Sequence, residues 1–110
     1  MKAFLTVEKA SEEIEKSEQY IADLKKFISL VENYNADTPE KLVIKYYALI
    51  GRADKVAIKI NEEGYRIDGR KYISNDVTAI IQSEITIDEL HEMVKLIQKK
   101  NKAIVNKKWN

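Results

Sequence analysis

The chain contains no cysteine, one proline, one tryptophan, one histidine and three glycines in 110 residues. Without cysteine there is no disulfide framework and no thiolate metal site, and a reducing cytoplasm is the expected compartment. With so little glycine and proline, long irregular loops are not expected. No stretch approaches the ~18 consecutive apolar residues of a membrane-spanning helix, so no membrane partner is expected. The amino-terminal Met1-Lys2-Ala3-Phe4-Leu5 has one positive charge and too brief an apolar patch for a secretory signal. His91 stands without a second histidine, which argues against a zinc site and predicts a partly exposed surface residue. Asp88, Glu89 and Glu92 read as favourable negative charge at the start of a helix rather than as metal ligands. There is no phosphate-cradling glycine loop and no nucleophile elbow. The chain is therefore expected to be no enzyme and to need no cofactor or small-molecule substrate.

What is present is a globular balance: 45% apolar and 34% charged residues, enough for one modest core in a single domain over 1–110. The net charge of +1 conceals an uneven distribution. Residues 1–40 carry 5 Lys/Arg against 9 Asp/Glu, residues 41–73 carry 8 against 4, and residues 74–110 carry 6 against 5. Basic charge is thus concentrated in the middle third, which suits contact with an anionic partner there, while the acidic first third would face away from it.

The hydrophobic pattern predicts five helices. Ala10, Ile14, Ser17, Ile21, Leu24, Ile28 and Val31 follow one another at spacings of four and three, the 3.5-residue period of a coiled-coil-like seam. They define a long helix over 7–33, beginning at Val7 or Ala10, with Tyr20, Phe27 and Tyr34 widening the stripe. Thr38, Pro39 and Glu40 form a helix start. The second helix then runs to Ile50 with Leu42, Val43, Tyr46, Leu49 and Ile50 as its apolar face, and Gly51 ends it. A third helix covers Ala53 to Glu62, with Val56, Ala57 and Ile60 inward and Gly64 as its stop. Asp68-Gly69 signals a type I′ turn and a short β-hairpin. Ser74 or Asn75 caps a fourth helix whose buried side is Val77, Ile80 and Ile81. Thr86 and Glu89 pair as a capping box for a last helix over 86–105. Its seam is Ile87, Leu90, Val94, Ile97, Asn101 and Ile104, where Asn101 either fixes register or has already left the core. Lys99, Lys100, Lys102, Lys107 and Lys108 make its far end basic, and Trp109 lies in a frayed tail unless it docks.

The informative stretch is Val56 to Ile81. Ala57 is small where two helices must cross closely, Ile60 fills the space between them, and Gly64 lets the chain leave the third helix in a left-handed conformation. Val77 and Ile80 anchor the fourth helix on the same core. Its other side, Asn75, Thr78, Ala79 and Gln82, is expected to stay exposed and shaped for a major groove. Read as Val56-Ala57, Ile60-Asn61, Gly64, Gly69, Tyr72, Ser74, Val77 and Ile80-Ile81, residues 52–83 resemble the DNA-binding helix-turn-helix of large serine recombinases and resolvases. That family's pattern runs Ile-Ala, Leu-Asn, Gly, Gly, Trp, Ser, Val, Ile-Leu. Tyr72 stands where the family has tryptophan, Asp76 places a carboxylate where a small polar residue is common, and the catalytic domain is absent. The resemblance implies DNA binding without strand exchange, and an origin in a mobile genetic element.

The expected fold is therefore mainly α: a helix-turn-helix unit over 38–84, a tri-helical core with a short β-hairpin, flanked by long N- and C-terminal helices, either packed on each other as an antiparallel pair or with one of them paired with its copy in a second chain. The expected partner is double-stranded DNA, bound by a small regulator or accessory factor acting as a homodimer that reads two half-sites. Asn75, Thr78 and Gln82 would read base edges with Ser74 beside them, and Arg52, Lys55, Lys59, Arg66, Arg70 and Lys71 would grip phosphate. The rival expectation is a protein-interaction module or inhibitor that works through its long helices, favoured by the acidic first third and the aromatic stripe.

Overall fold

A computed structural model describes the backbone of residues 5–109 and the side chains of residues 5–103. Among them are five helices: α1 (Val7–Glu32), α2 (Pro39–Ile50), α3 (Ala53–Glu62), α4 (Ser74–Ile81) and α5 (Glu89–Trp109). The side chains of Ile104, Lys107, Lys108 and Trp109, and the start of the chain up to Phe4, lie outside the described residues. The chain divides between Asn33 and Tyr34 into two compact units.

The first unit contains α1. Thr6 caps it, its hydroxyl accepting from the Lys9 amide at 3.1 Å, and Asn33 closes it by donating its side-chain amide to the Ser29 carbonyl at 2.9 Å. The seam side chains Ile14, Ile21, Leu24 and Ile28 are all exposed, whereas Val31 is buried.

The second unit holds α2 to α5. Thr38 caps α2 through the Lys41 amide at 3.2 Å, Pro39 occupies the first turn, and Gly51 ends the helix at φ 80°. A left-handed residue there is what glycine tolerates and other residues resist. The core is Val43, Ile44 and Tyr47 of α2, Val56, Ala57 and Ile60 of α3, Tyr72, Val77 and Ile81 around α4, and Leu90 and Val94 of α5. The α3 set is the expected one. The α2 set is rotated from the expectation: Leu49 and Ile50 are exposed, and Ile44 and Tyr47 are buried instead. The reason is that α2 packs against α3, α4 and α5 together, so the side facing three neighbours outweighs the side with the tidier pattern.

The connector from α3 to α4 carries the expected turn but no strand. Asp68 and Gly69 both have positive φ, 50° and 78°, and Ile67 and Arg70 exchange reciprocal backbone bonds of 2.8 and 2.9 Å. This is one bridge closing a two-residue turn, because the flanking chain is claimed by other partners. Ile73, rather than Ser74 or Asn75, is the cap residue of α4: the Asp76 carboxylate reaches back to accept from the Ile73 amide at 2.8 Å. Likewise α5 starts at Glu89 and its first turn is capped by Asp88, whose carboxylate accepts from the His91 amide at 3.0 Å, and not by Thr86. Asp88, two residues nearer the helix, takes that role, and Thr86 bonds Glu92 instead.

The last helix, α5, packs on α2 and α4, burying Leu90, His91, Val94 and Gln98. His91 is a correction to the expected surface residue: it is 1% exposed. Its Nδ1 accepts from the Ile87 amide at 3.0 Å, and its Nε2 lies 3.1 and 3.0 Å from the carbonyls of Ile80 and Ile81. That arrangement assigns the proton to Nε2 and makes the imidazole a bolt between α4 and α5. Asn101 is half-buried, donating to the Tyr47 hydroxyl at 3.2 Å.

Candidate nucleic-acid interface

The connector between α3 and α4 positions the expected phosphate-gripping residues, and it is held by side chains of the motif itself. Asn61, at the end of α3, donates to the Tyr72 carbonyl at 2.9 Å and accepts from the Tyr72 amide at 2.7 Å. This two-bond clamp fixes where the chain re-enters the core at Tyr72, which is 6% exposed. Arg70 forms a fork on Asp76, with both bonds at 2.8 Å. The guanidinium, helped by the Ile73 amide, lowers the Asp76 carboxyl to about 2. The Asp76 carboxylate is therefore neutralised within the chain, and Arg70 braces the connector.

Other expected cations are partly engaged. Arg66 donates to the carbonyls of Asn61 and Tyr65, closing the open end of α3. Arg52 pairs with Asp54 at 2.9 Å. The Lys59 ammonium sits 5.1 Å from the centre of the Tyr46 ring, whose hydroxyl donates to Glu63. That bond, with burial adding to it, pushes the Tyr46 phenol up to about 12. Lys55 and Lys71 are exposed and have no side-chain bond among the described residues.

The outward side expected for α4 is only half as wide as the pattern suggests. Asn75 and Ala79 are exposed, as are Ser74 and Ser83. Thr78 and Gln82 are turned to α5. Gln82 donates to the Lys95 carbonyl at 3.1 Å and to Gln98 at 2.9 Å, and Gln98 donates to the Thr78 hydroxyl at 3.0 Å. Gln98 is 2% exposed. A buried amide needs polar partners, and α4 supplies them. Thr78 and Gln82 are thus committed to helix packing and are removed from the set of base-reading candidates.

Of the ten expected contact residues, Arg52, Ser74, Asn75 and Thr78 come together along one groove of about 510 Å³. The groove lies where α3 and α4 begin, and Gln98, Asn101 and Lys102 of α5 form its other wall. Backbone amides at the start of a helix are donors without intrahelical partners and carry partial positive charge. Lys59, Arg66, Arg70, Lys55 and Lys71 do not line this groove. Lys102 belongs to the basic end of the last helix. Its place opposite Asn75 was not legible, because it depends on α5 crossing α4.

Compared with models of protein families, with curated proteins and with solved structures, the chain matches none. The functional reading therefore rests on the residues themselves. Among the described residues no three histidine, aspartate or glutamate side chains are grouped to hold a metal ion, and no helix is long and apolar enough to cross a membrane.

Proposed function

We propose that this chain binds double-stranded DNA through the end of its second unit where α3 and α4 start, with α3, the connector and α4 acting as a helix-turn-helix. The observation that carries the reading is the groove in which two helix starts, Ser74, Asn75 and the exposed Lys102 face one opening. Hydroxyl and amide side chains and a lysine are donors that phosphate oxygens accept from, and the Asp54 carboxylate on the same groove is paired with Arg52. The resemblance of residues 52–83 to a recombinase helix-turn-helix supports the same surface, and with it a role as a regulator or accessory factor. Base reading falls to the first turn of α4, Asn75 with Ser74, because helices of this class present their N-terminal residues to base edges. Lys55 and Lys71 add phosphate contacts on either flank, and Arg70 with Asn61 keeps the connector in place.

Fluorescence anisotropy with labelled duplexes selected from a random library tests the reading. Binding should weaken steeply with salt. Lys102→Glu should weaken all duplexes alike and reduce the salt slope by about one, whereas Asn75→Ala should cost about tenfold on the selected sequence and little on others. Absence of any salt-sensitive binding to duplex DNA at micromolar protein would refute it. A second reading, a protein-interaction module, has one observation in its favour: the exposed apolar side of α1.

A further inference from the structure

The side chains on the seam of α1 are arranged to meet a copy of themselves. Ile14 is 57% exposed, Ile21 50%, Leu24 43% and Ile28 55%, and Tyr20 beside them is 63% exposed. With Ala10 and Ser17 they form a continuous 3.5-period stripe, which is the pattern that supercoils one helix around another. The five large side chains leave roughly 500 Å² per copy to be covered, before Ala10, Ser17 and the flanking stems are added, against about 800 Å² per partner in a stable interface.

Charge and volume then select the occupant and its direction. From Ala10 to Glu18 there are four glutamates (Glu12, Glu13, Glu15, Glu18) against one lysine, Lys16. From Gln19 to Ile28 there are two lysines (Lys25, Lys26) against one aspartate, Asp23. A parallel copy would lay the acidic half on the acidic half. An antiparallel copy lays it on the basic half, where opposite charges attract. The same direction sets Ile14 level with Leu24 of the second copy, Ile21 with Ser17, and Ile28 with Ala10. Each thin layer position receives a bulky one, whereas a parallel pair would face Ala10 with Ala10 and Ser17 with Ser17 and leave voids.

We propose that two copies of this chain associate through an antiparallel coiled coil of α1 over Ala10–Ile28. The association is independent of the DNA reading and is tested without DNA. Sedimentation velocity of the full chain across 1–200 µM (~ micromolar to sub-millimolar, spanning the usual range of helix-pair affinity) should show a monomer–dimer equilibrium. Ile21→Glu should weaken the dimer by roughly a hundredfold, since it buries a charge. Ile21→Leu should leave it within about threefold, and circular dichroism should show the melting of α2–α5 unchanged in both. Direction is read by oxidative cross-linking. A mixture of Ser17→Cys and Ile21→Cys chains should give the mixed disulfide, and Ser17→Cys alone should link poorly. A wild-type chain that stays monomeric throughout, a dimer that survives Ile21→Glu, or efficient linking of Ser17→Cys to itself would each overturn the proposal.

Discussion

At the scale of single residues, the second unit depends on side chains that bond backbone. Asn61 is the clearest case, because it satisfies both the amide and the carbonyl of a buried tyrosine. Asn61→Ala leaves the Tyr72 backbone without those partners and is expected to cost about 2–4 kcal/mol in urea unfolding. A loss under about 0.5 kcal/mol would show that water or a shifted connector replaces the clamp. Asp76 gives a pH signature. Its folded value, about 2, lies below the ordinary aspartate value of about 3.9. Its stabilising effect is therefore complete above the ordinary value and is lost as pH falls from about 4 through about 2. Unfolding measured across that window should steepen in wild type and flatten in Asp76→Asn. Equal slopes in both would mean that the Arg70 fork does not hold the carboxylate in solution.

At the scale of elements, what the pattern reveals and what it hides have separate causes. The inward residues of α3, the Thr38–Pro39 start, the Gly51 stop and the Asp68-Gly69 turn are legible because each follows from local chemistry: apolar period, a missing amide, positive φ. The role of Thr78 and Gln82 is not, because a polar stripe reads as solvent-facing until a polar residue on another helix is known to cover it. Gln98 is that residue, and its burial has no signature in a hydrophobic pattern. His91 misleads in the same way: it sits among Asp88, Glu89 and Glu92 in the sequence, and its partners, the carbonyls of Ile80 and Ile81, belong to the backbone of α4. The candidate site inherits this limit. Ser74 and Asn75 could be read from their position at a helix start, whereas Lys102 could not. His91→Ala should remove the bolt between α4 and α5, stranding two carbonyls and one amide and opening a cavity, with an expected loss of about 3 kcal/mol. His91→Gln, whose amide can reach part of the same set, should recover some of that loss. A neutral His91→Ala would mean that α5 is held on α4 by Gln98 and the leucine–valine contacts alone.

At the scale of the whole molecule, the division at Asn33 has a thermodynamic consequence. Within the second unit, α2, α3, α4 and α5 pack on one another around a shared core. The first unit holds one helix of 26 residues rich in charge, and helices in water gain most of their stability from packing an apolar face. Residues 34–110 expressed alone are therefore expected to melt cooperatively, with near-native helical signal per residue. A peptide of residues 5–33 should be mostly unfolded when dilute and should gain helix as its concentration rises. Circular dichroism of the two pieces decides it. A carboxy-terminal piece that unfolds without a cooperative transition would show that α1 contributes to that core. A peptide whose helicity does not change with concentration would show that its seam gains nothing from a second copy. The two results are separable because the core of the second unit and the stripe of α1 use different side chains, so each piece reports on one source of stability.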